Sequence, residues 1–252
     1  METFLILITL SLIAGAIAGF GGSSAFIPII ALILLTPLTT TEISGTAATS
    51  FFIATFFGTY LYWRSGNHNK TILIILIPPA LIGTQIGVYI NSFISADAFN
   101  LIIGSIAIIL AILLLRPIIL TEIDTININT DAIHGKLLLI TLGLTVGIIA
   151  GITGIGGIPL IVPTLIILNI NPLTSISTGF AVATFNTFIT SISYIRQGNV
   201  QFEYVFYIGI PFALAQTIGW KYSQKVNKTH LKIGLSIFNM LLGLYMIGSL
   251  FV

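Results

Sequence analysis

Two glycine clusters, each inside an apolar run, hold the residues whose types and spacing could do chemistry in this sequence. The first reads Gly19-Phe20-Gly21-Gly22-Ser23-Ser24 and the second reads Gly154-Ile155-Gly156-Gly157-Ile158. Glycines of this kind interrupt a helix, and a helix that restarts after the break leaves its first N–H groups unpaired, with a partial positive charge at that end. Two such ends facing one cavity would bind a small anion without any basic side chain.

Polar side chains near these clusters are further candidates for the same site. Threonine hydroxyls at the start of later segments could donate to an oxyanion. Amides inside apolar segments need a partner, because an unpaired amide in lipid is costly. Arginines that end a segment could draw anions to an entrance. The candidate substrate-binding residues are Gly21, Gly22, Ser23, Ser24, Thr46, Arg64, Gln85, Gly156, Gly157, Ile158, Thr178, Arg196 and Gln216.

Each candidate also has a purely structural interpretation. The glycines could simply let helices pack closely, and the threonines could cap a helix or bond back to its own carbonyl groups. The glutamines could bond one helix to another, and the arginines could cap a helix C-terminus while reaching toward water. A proline follows each glycine cluster, Pro28 in one copy and Pro163 in the other. This recurrence favours a binding site at the glycines.

The composition indicates an integral membrane protein. Of 252 residues, 56% are hydrophobic and 6% are charged, whereas a soluble domain carries about 25% charged residues. The apolar runs are long and do not alternate, which favours spanning helices over a β-barrel. The net charge of +2 and the lack of a basic cluster argue against nucleic acid as a partner. The expected partners are a small anion and the lipid bilayer, and a homodimer is left open.

Residues for catalysis or metal binding are missing from the apolar segments. Every Asp, Glu and His falls in a loop or at a segment end, and the chain has no cysteine. A membrane-embedded enzyme would need a nucleophile with a base, or a metal cluster. A metal-ion transporter would need clustered His, Asp or Glu. The sequence therefore predicts no catalytic residue, no metal site and no cofactor.

An internal repeat divides the chain into two halves. Beyond the glycine clusters, Thr46 matches Thr178 and Arg64 matches Arg196, in the same order and at the same spacing. Such ordered matches indicate a duplicated unit. Each half holds five apolar segments, and the second of each is too short to cross a bilayer, since a spanning helix needs about 20 residues. The predicted segments are Phe4–Gly19, Ser24–Leu35, Ile43–Trp63, Ile72–Ile90, Ala98–Leu115, Leu137–Ala150, Pro159–Leu168, Ser175–Ile195, Tyr204–Trp220 and Leu231–Phe251.

The predicted fold is an all-α integral membrane protein of two inverted repeats, each with a broken, re-entrant first helix pair and three spanning helices. The repeats are residues 1–116 and 137–252, joined by a linker at 117–136. Five passes in each half invert the second half, whereas four would keep the halves parallel. With five passes, every Lys and Arg except Arg196 lies on one side, as the enrichment of cytoplasmic loops in these residues favours. The linker is then cytoplasmic and both termini are outside.

Taken in order, these motifs resemble the sulfite exporter TauE/SafE family of membrane proteins. The resemblance implies an inner-membrane transporter, usually an exporter, of sulfite, organosulfonates or related small sulfur-containing anions. Ser23 and Ile158 stand where a third glycine is common, which would alter substrate choice. The resemblance covers nearly the whole chain and is carried by Gly19-Phe20-Gly21-Gly22, Pro28, Pro37, Thr46, Arg64-Ser65-Gly66-Asn67, Gly154-Ile155-Gly156-Gly157, Pro163, Pro172, Thr178 and Arg196-Gln197-Gly198-Asn199-Val200.

The residues and the resemblance together predict a secondary transporter in the inner (plasma) membrane. Its anion would bind near the bilayer midplane at the interface of the repeats, where inverted-repeat carriers place their substrates. An anion channel that uses the same donors is the alternative. An enzyme is disfavoured, because the apolar segments hold no Asp, Glu, His or Cys.

Overall fold

The part of the chain that the computed structural model describes, residues 2–19, 24–64, 66, 68–119, 130, 132–222, 228–248 and 250, contains ten α-helices and no strand. One helix corresponds to each of the ten predicted segments. The helices are α1 (Glu2–Gly19), α2 (Phe26–Leu35), α3 (Thr40–Arg64), α4 (Lys70–Asn91), α5 (Ala96–Ile119), α6 (Ile133–Thr153), α7 (Ile158–Ile167), α8 (Pro172–Arg196), α9 (Phe202–Tyr222) and α10 (Lys228–Gly248).

The all-helical prediction is confirmed for these described residues. Helices α2 and α7 have 10 residues each, which is too short to cross a bilayer. Four helices, α1, α4, α5 and α6, are long and apolar enough to span one. Helices α3 and α8 have 25 residues each, or roughly 37 Å at 1.5 Å per residue. They are less apolar because they carry many hydroxyl groups and glycines.

Asparagine side chains cap the starts of α4 and α8. The Asn69 side chain accepts a hydrogen bond from the Ile72 N–H at 3.2 Å, where α4 begins. The Asn171 side chain accepts one from the Leu173 N–H at 2.9 Å, and Pro172 then occupies the first turn of α8. Both devices satisfy or remove N–H groups that a helix start leaves unpaired.

The boundary between the halves differs from the predicted linker at both ends. Helix α5 runs to Ile119 and α6 begins at Ile133, so both helices extend into the segment 117–136. Residues 120–129 and 131 of that segment lie outside the described part of the chain.

Two pairs of helices from opposite halves pack in parallel, α1 with α9 and α4 with α6. A Cβ added at Gly143 would lie 2.6 Å from the Leu76 carbonyl oxygen, and one added at Gly151 would lie 2.2 Å from the Thr84 carbonyl oxygen. Glycines therefore bring the backbones together, as small residues do in membrane bundles. The close-packing interpretation also applies to Gly19, where a Cβ would lie 2.2 Å from the Gln216 carbonyl oxygen.

Two further pairs join equivalent helices of the two halves and run antiparallel. At the α3–α8 contact, Gly45 lies against Tyr194 whereas Gly58 lies against Phe180. At the α5–α10 contact, Gly104 lies against Gly243, and the Ser236 hydroxyl near the start of α10 bonds to a carbonyl oxygen near the end of α5. Helices α3 and α8 each contact a further long helix of the opposite half: α3 packs against α9, and α8 packs against α4.

Candidate functional site

A narrow internal cavity lies where the two short helices begin. It offers about 40 Å³ in which the centre of a water-sized sphere can lie, which exceeds the roughly 10–15 Å³ needed for one water. Six helices or their flanking residues contribute to its wall. The lining residues are Ala18, Ser24, Ala25, Phe51, Ala54, Thr55, Ile155, Ile158, Pro159, Val162, Ile176, Phe180, Phe212 and Gln216.

The second glycine cluster turns the chain sharply between α6 and α7. Gly154, with φ of 77°, ends α6 and donates its N–H to the Ala150 carbonyl oxygen. Gly157, with φ of 103°, precedes Ile158 and Pro159, the first residues of α7, and both of these line the cavity. A positive φ favours glycine because a Cβ would be strained there. The Ile158 N–H, at the first position of α7, has no acceptor within its own helix, so this end can donate to an anion.

The structure describes the first glycine cluster only at its ends, Gly19 and Ser24. Gly21, Gly22 and Ser23 lie outside the described residues. Ser24 and Ala25, which follow them directly and precede α2, line the same cavity as the start of α7. The Ser24 hydroxyl donates to the Ala14 carbonyl oxygen, so its hydrogen is engaged within the protein. Among the described residues at this end, the remaining donors are the backbone N–H groups of Ser24 and Ala25.

Gln216 supplies a buried amide to the cavity wall. Its side chain is 3% exposed, and its Nε2 atom donates to the Ala54 carbonyl oxygen at 3.0 Å. An amide nitrogen carries two hydrogens, and within the described part of the chain the second has no acceptor, so it can donate to a ligand. Gln216 is a site residue predicted from the sequence, and it lies at the cavity.

Thr55 also lines the cavity, although it is not among the site residues predicted from the sequence. Its hydroxyl oxygen lies 3.2 Å from that of Thr187, which is the equivalent residue of the other half. A threonine in an apolar segment usually bonds back to its own helix, so its type alone gives no signal. The signal that could have found it is the match between the two threonines in the repeat.

A second glycine-cluster contact involves an amide on α8. The Asn186 Nδ2 atom donates to the Gly156 carbonyl oxygen at 3.2 Å, next to the start of α7. A Cβ added at Gly157 would lie 3.6 Å from the same nitrogen. Gly156 therefore packs against α8, and Gly157 lies between α6 and α8; neither glycine lines the cavity.

Five predicted site residues lie away from the cavity. The Thr46 hydroxyl accepts the Gln201 N–H at 3.0 Å. Thr178, the equivalent residue of Thr46, is fully buried, and its hydroxyl finds no hydrogen-bond partner among the described residues. Gln85 exchanges hydrogen bonds with Ser193 on the exposed face between α4 and α8.

The two arginines stand at equivalent helix ends, and both are exposed. The Arg64 guanidinium donates to the Tyr60 hydroxyl at 3.2 Å and lies 5.6 Å from the centre of that ring. Arg196 occupies the last turn of α8. A cation near a helix C-terminus is stabilised by the helix dipole, which fits the capping interpretation of both residues.

The chemistry of the cavity is that of a neutral site with donors. Every described residue that lines it is uncharged, and the described residues contain no group of His, Cys, Asp and Glu that could hold a metal ion. Three aromatic rings, Phe51, Phe180 and Phe212, form much of the apolar wall. Apolar walls with a few fixed polar groups are typical of small-molecule sites.

Comparisons with known proteins agree with the membrane architecture. The family model "Sulfite exporter TauE/SafE" matches residues 4–246. The chain is 28% identical to the "Probable membrane transporter protein YdhB" of Bacillus subtilis (strain 168) over 252 residues, covering 98% of this chain and all of the relative. It is 36% identical to the "Probable membrane transporter protein YjnA" of the same organism over 72 residues, 29% of this chain and 28% of that protein. No solved structure matches the chain.

The family match covers more than half of the chain, and the first relative matches along its whole length. The family consists of multi-pass membrane transporters rather than enzymes, as the absence of catalytic residues predicted. The chain is a membrane transporter that belongs to the sulfite exporter TauE/SafE family.

Proposed function

We propose that this transporter is a secondary carrier that exports sulfite, an organosulfonate or a related small sulfur-containing anion. The observation that carries the proposal is one cavity lined by Ser24 and Ala25 before α2 and by Ile158 and Pro159 at the start of α7. Two helix N-termini directed at one space supply N–H donors and partial positive charge to an oxyanion. The second Nε2 hydrogen of Gln216 adds a further donor.

The arrangement of the halves supports alternating access. Equivalent helices pack antiparallel, as at the contact of Gly58 with Phe180 between α3 and α8. Parallel repeats would give parallel pairs, so inverted repeats account for this packing. We infer that residues 1–116 and 137–252 rock against each other about the cavity, as inverted-repeat carriers do. The Lys and Arg distribution supports a cytoplasmic position for the segment between them and an outside position for both termini.

The neutrality of the cavity supports an anion as substrate. A cation would need carboxylates or clustered carbonyl oxygens, and the cavity lining contains no acidic side chain. Sulfite and sulfonates present several oxygens that accept hydrogen bonds, which suits a site made of backbone and amide donors.

Counterflow in proteoliposomes tests this function directly. Vesicles that hold the purified chain and are loaded with unlabelled sulfite should take up labelled sulfite, with uptake that saturates. Replacing Ile158 by Trp should abolish uptake, because the indole would fill a cavity of about 40 Å³. The matched control is Ile210→Trp, at a side chain of α9 that is 46% exposed, and it should transport normally.

Two outcomes would contradict the proposal. Equal uptake by the Ile158→Trp and Ile210→Trp variants would remove the cavity from the pathway. Currents through single proteins in a planar bilayer, without counterflow, would favour the anion channel. A screen of sulfite, taurine and sulfate in the same vesicles would identify the substrate within the class.

A further inference from the structure

We propose that Thr84, Asn186 and Thr190 line the substrate pathway on the opposite side of the bilayer midplane from the cavity. They are the repeat-related counterparts of Gln216, Ala54 and Gly58. This inference builds on the proposed carrier function and adds the half of the pathway that is closed in this conformation.

The two halves share one residue offset in their central helices. Thr55 on α3 and Thr187 on α8 are 132 residues apart, and their hydroxyl oxygens lie 3.2 Å from each other. Helix α8 begins at Pro172 and α3 at Thr40, whereas α9 begins at Phe202 and α4 at Lys70, so both helix pairs keep the same offset. A direct contact between equivalent residues places the pseudo-two-fold axis through the Thr55–Thr187 contact.

On the cavity side of this axis, α9 packs its amide against α3. The Gln216 Nε2 atom donates to the Ala54 carbonyl oxygen at 3.0 Å, and a Cβ added at Gly58 would lie 2.7 Å from the same nitrogen. Gln216 and Ala54 both line the cavity. On this side the Gln216 amide therefore has a hydrogen-bond partner and also borders the cavity.

On the other side, the same offset makes Thr84 of α4 the counterpart of Gln216, and α4 packs against α8, which carries Asn186 and Thr190. The hydrogen bonds between Gln85 and Ser193, at 3.0 and 3.3 Å, hold these stretches of the two helices together. Asn186 and Thr190 are four residues apart in α8, so they share one face of that helix.

The three side chains on this side carry unsatisfied polar atoms. Thr84 and Asn186 are 0% exposed and Thr190 is 1% exposed. Within the described part of the chain, the Thr84 and Thr190 hydroxyls and the Asn186 Oδ1 atom have no hydrogen-bond partner. The Thr187 and Ser191 hydroxyls of α8 bond back to their own helix, whereas Thr190 does not.

Unpartnered polar atoms in a membrane interior are costly, and native proteins keep few of them. Their cost is removed in a conformation that brings water or substrate to them. When two inverted repeats exchange conformations, each residue takes the surroundings of its counterpart. Thr84 would then reach open space as Gln216 does now, and its hydroxyl would become a donor to the anion.

A buried hydrogen-bond network closes this side in the present conformation. The Asn91 Nδ2 atom donates to the Tyr194 hydroxyl at 2.7 Å, and that hydroxyl donates to the Gly151 carbonyl oxygen at 2.9 Å. The Ser44 hydroxyl, which also accepts from Asn91, donates to the Ile152 carbonyl oxygen at 2.6 Å. The network ties α3, α4, α6 and α8 together one helical turn beyond Thr190, so opening this side must break it.

Cysteine accessibility tests the proposal, because the native chain contains no cysteine. Single variants Thr84→Cys, Thr190→Cys and Gln216→Cys would be treated in membrane vesicles with a charged methanethiosulfonate reagent, applied from each side in turn. The buried control is Ser236→Cys, since Ser236 is 0% exposed at the α5–α10 contact away from the cavity.

The expected result is labelling of Gln216→Cys from one side and of Thr84→Cys and Thr190→Cys from the opposite side. Both rates should exceed that of Ser236→Cys at least tenfold. Adding Tyr194→Phe to Thr190→Cys removes the hydroxyl that bonds Gly151 and should raise the labelling rate further. Thr190→Cys decides the question if the Thr84 variant fails to fold.

Labelling of Thr190→Cys at the rate of Ser236→Cys, or from the same side as Gln216→Cys, would overturn the proposal. The proposed function fails separately. If the cysteines label from opposite sides but sulfite and sulfonates neither slow the labelling nor cross the vesicle membrane, the pathway stands and the substrate class is wrong.

Discussion

Replacing Gln216 by Leu removes the one side-chain amide among the described residues that line the cavity. The variant keeps the size of the side chain and loses the free Nε2 hydrogen that can reach an anion. A hydrogen bond to a charged group contributes about 1.5–3 kcal/mol, and about 1.4 kcal/mol corresponds to a tenfold change in affinity. We expect the sulfite concentration for half-maximal uptake to rise about 10- to 100-fold.

The assay is initial-rate uptake into proteoliposomes over a range of sulfite concentrations, with equal amounts of folded protein. Gln197→Leu is the matched control, because Gln197 is exposed at the end of α8 and its Oε1 atom accepts from Asn199 outside the cavity. The control should change half-saturation by less than twofold. A Gln216→Leu protein that folds normally and keeps wild-type half-saturation would refute the role given to this amide.

Three further predictions concern packing, the central contact and ligand binding. Gly147→Ala should lower stability by about 1–3 kcal/mol, since its Cβ would lie 2.0 Å from a backbone oxygen, whereas Gly234→Ala, with no described atom within 4 Å, should melt within a degree of the wild type. Thr55→Val and Thr187→Val, measured singly and together by denaturation in detergent, should show a coupling of about 0.5–1.5 kcal/mol, and additive effects would contradict their hydrogen bond. Sulfite at about 100 times its dissociation constant should stabilise the wild type by about 2.7 kcal/mol, and the Gln216→Leu variant less at the same concentration.

The helices were largely predictable because each apolar segment was bounded by a strong local signal. Proline and asparagine mark the start of α8, and three glycines mark the break between α6 and α7. The short lengths of α2 and α7 followed from counting residues against the bilayer thickness. The helix ends were less accurate, and α5 and α6 both reach into the segment predicted as linker.

Whether a candidate residue lies at the cavity could be predicted where backbone geometry decides its position, but not where the rotation of a helix about its axis does. The start of α7 at Ile158 lies on the cavity because the glycine turn directs it there. Thr46 has the right chemistry, but its hydroxyl faces the start of α9 and accepts the Gln201 N–H. Which face of an all-apolar helix meets which neighbour depends on tertiary packing, and periodicity cannot supply it when apolar residues surround the helix. For the same reason, the sequence did not predict that Thr55 faces the cavity.

The contact between the Thr55 and Thr187 hydroxyls has a consequence for motion. A hydrogen bond between two equivalent residues lies on the pseudo-two-fold axis. When the two halves exchange conformations, this bond is therefore kept. The contact can therefore act as a pivot: the ends of α3 and α8 move far, whereas the point where the two helices cross moves little. A cross-link between α3 and α8 at Thr55 and Thr187 should leave transport unchanged, whereas a cross-link between the ends of these helices should stop it.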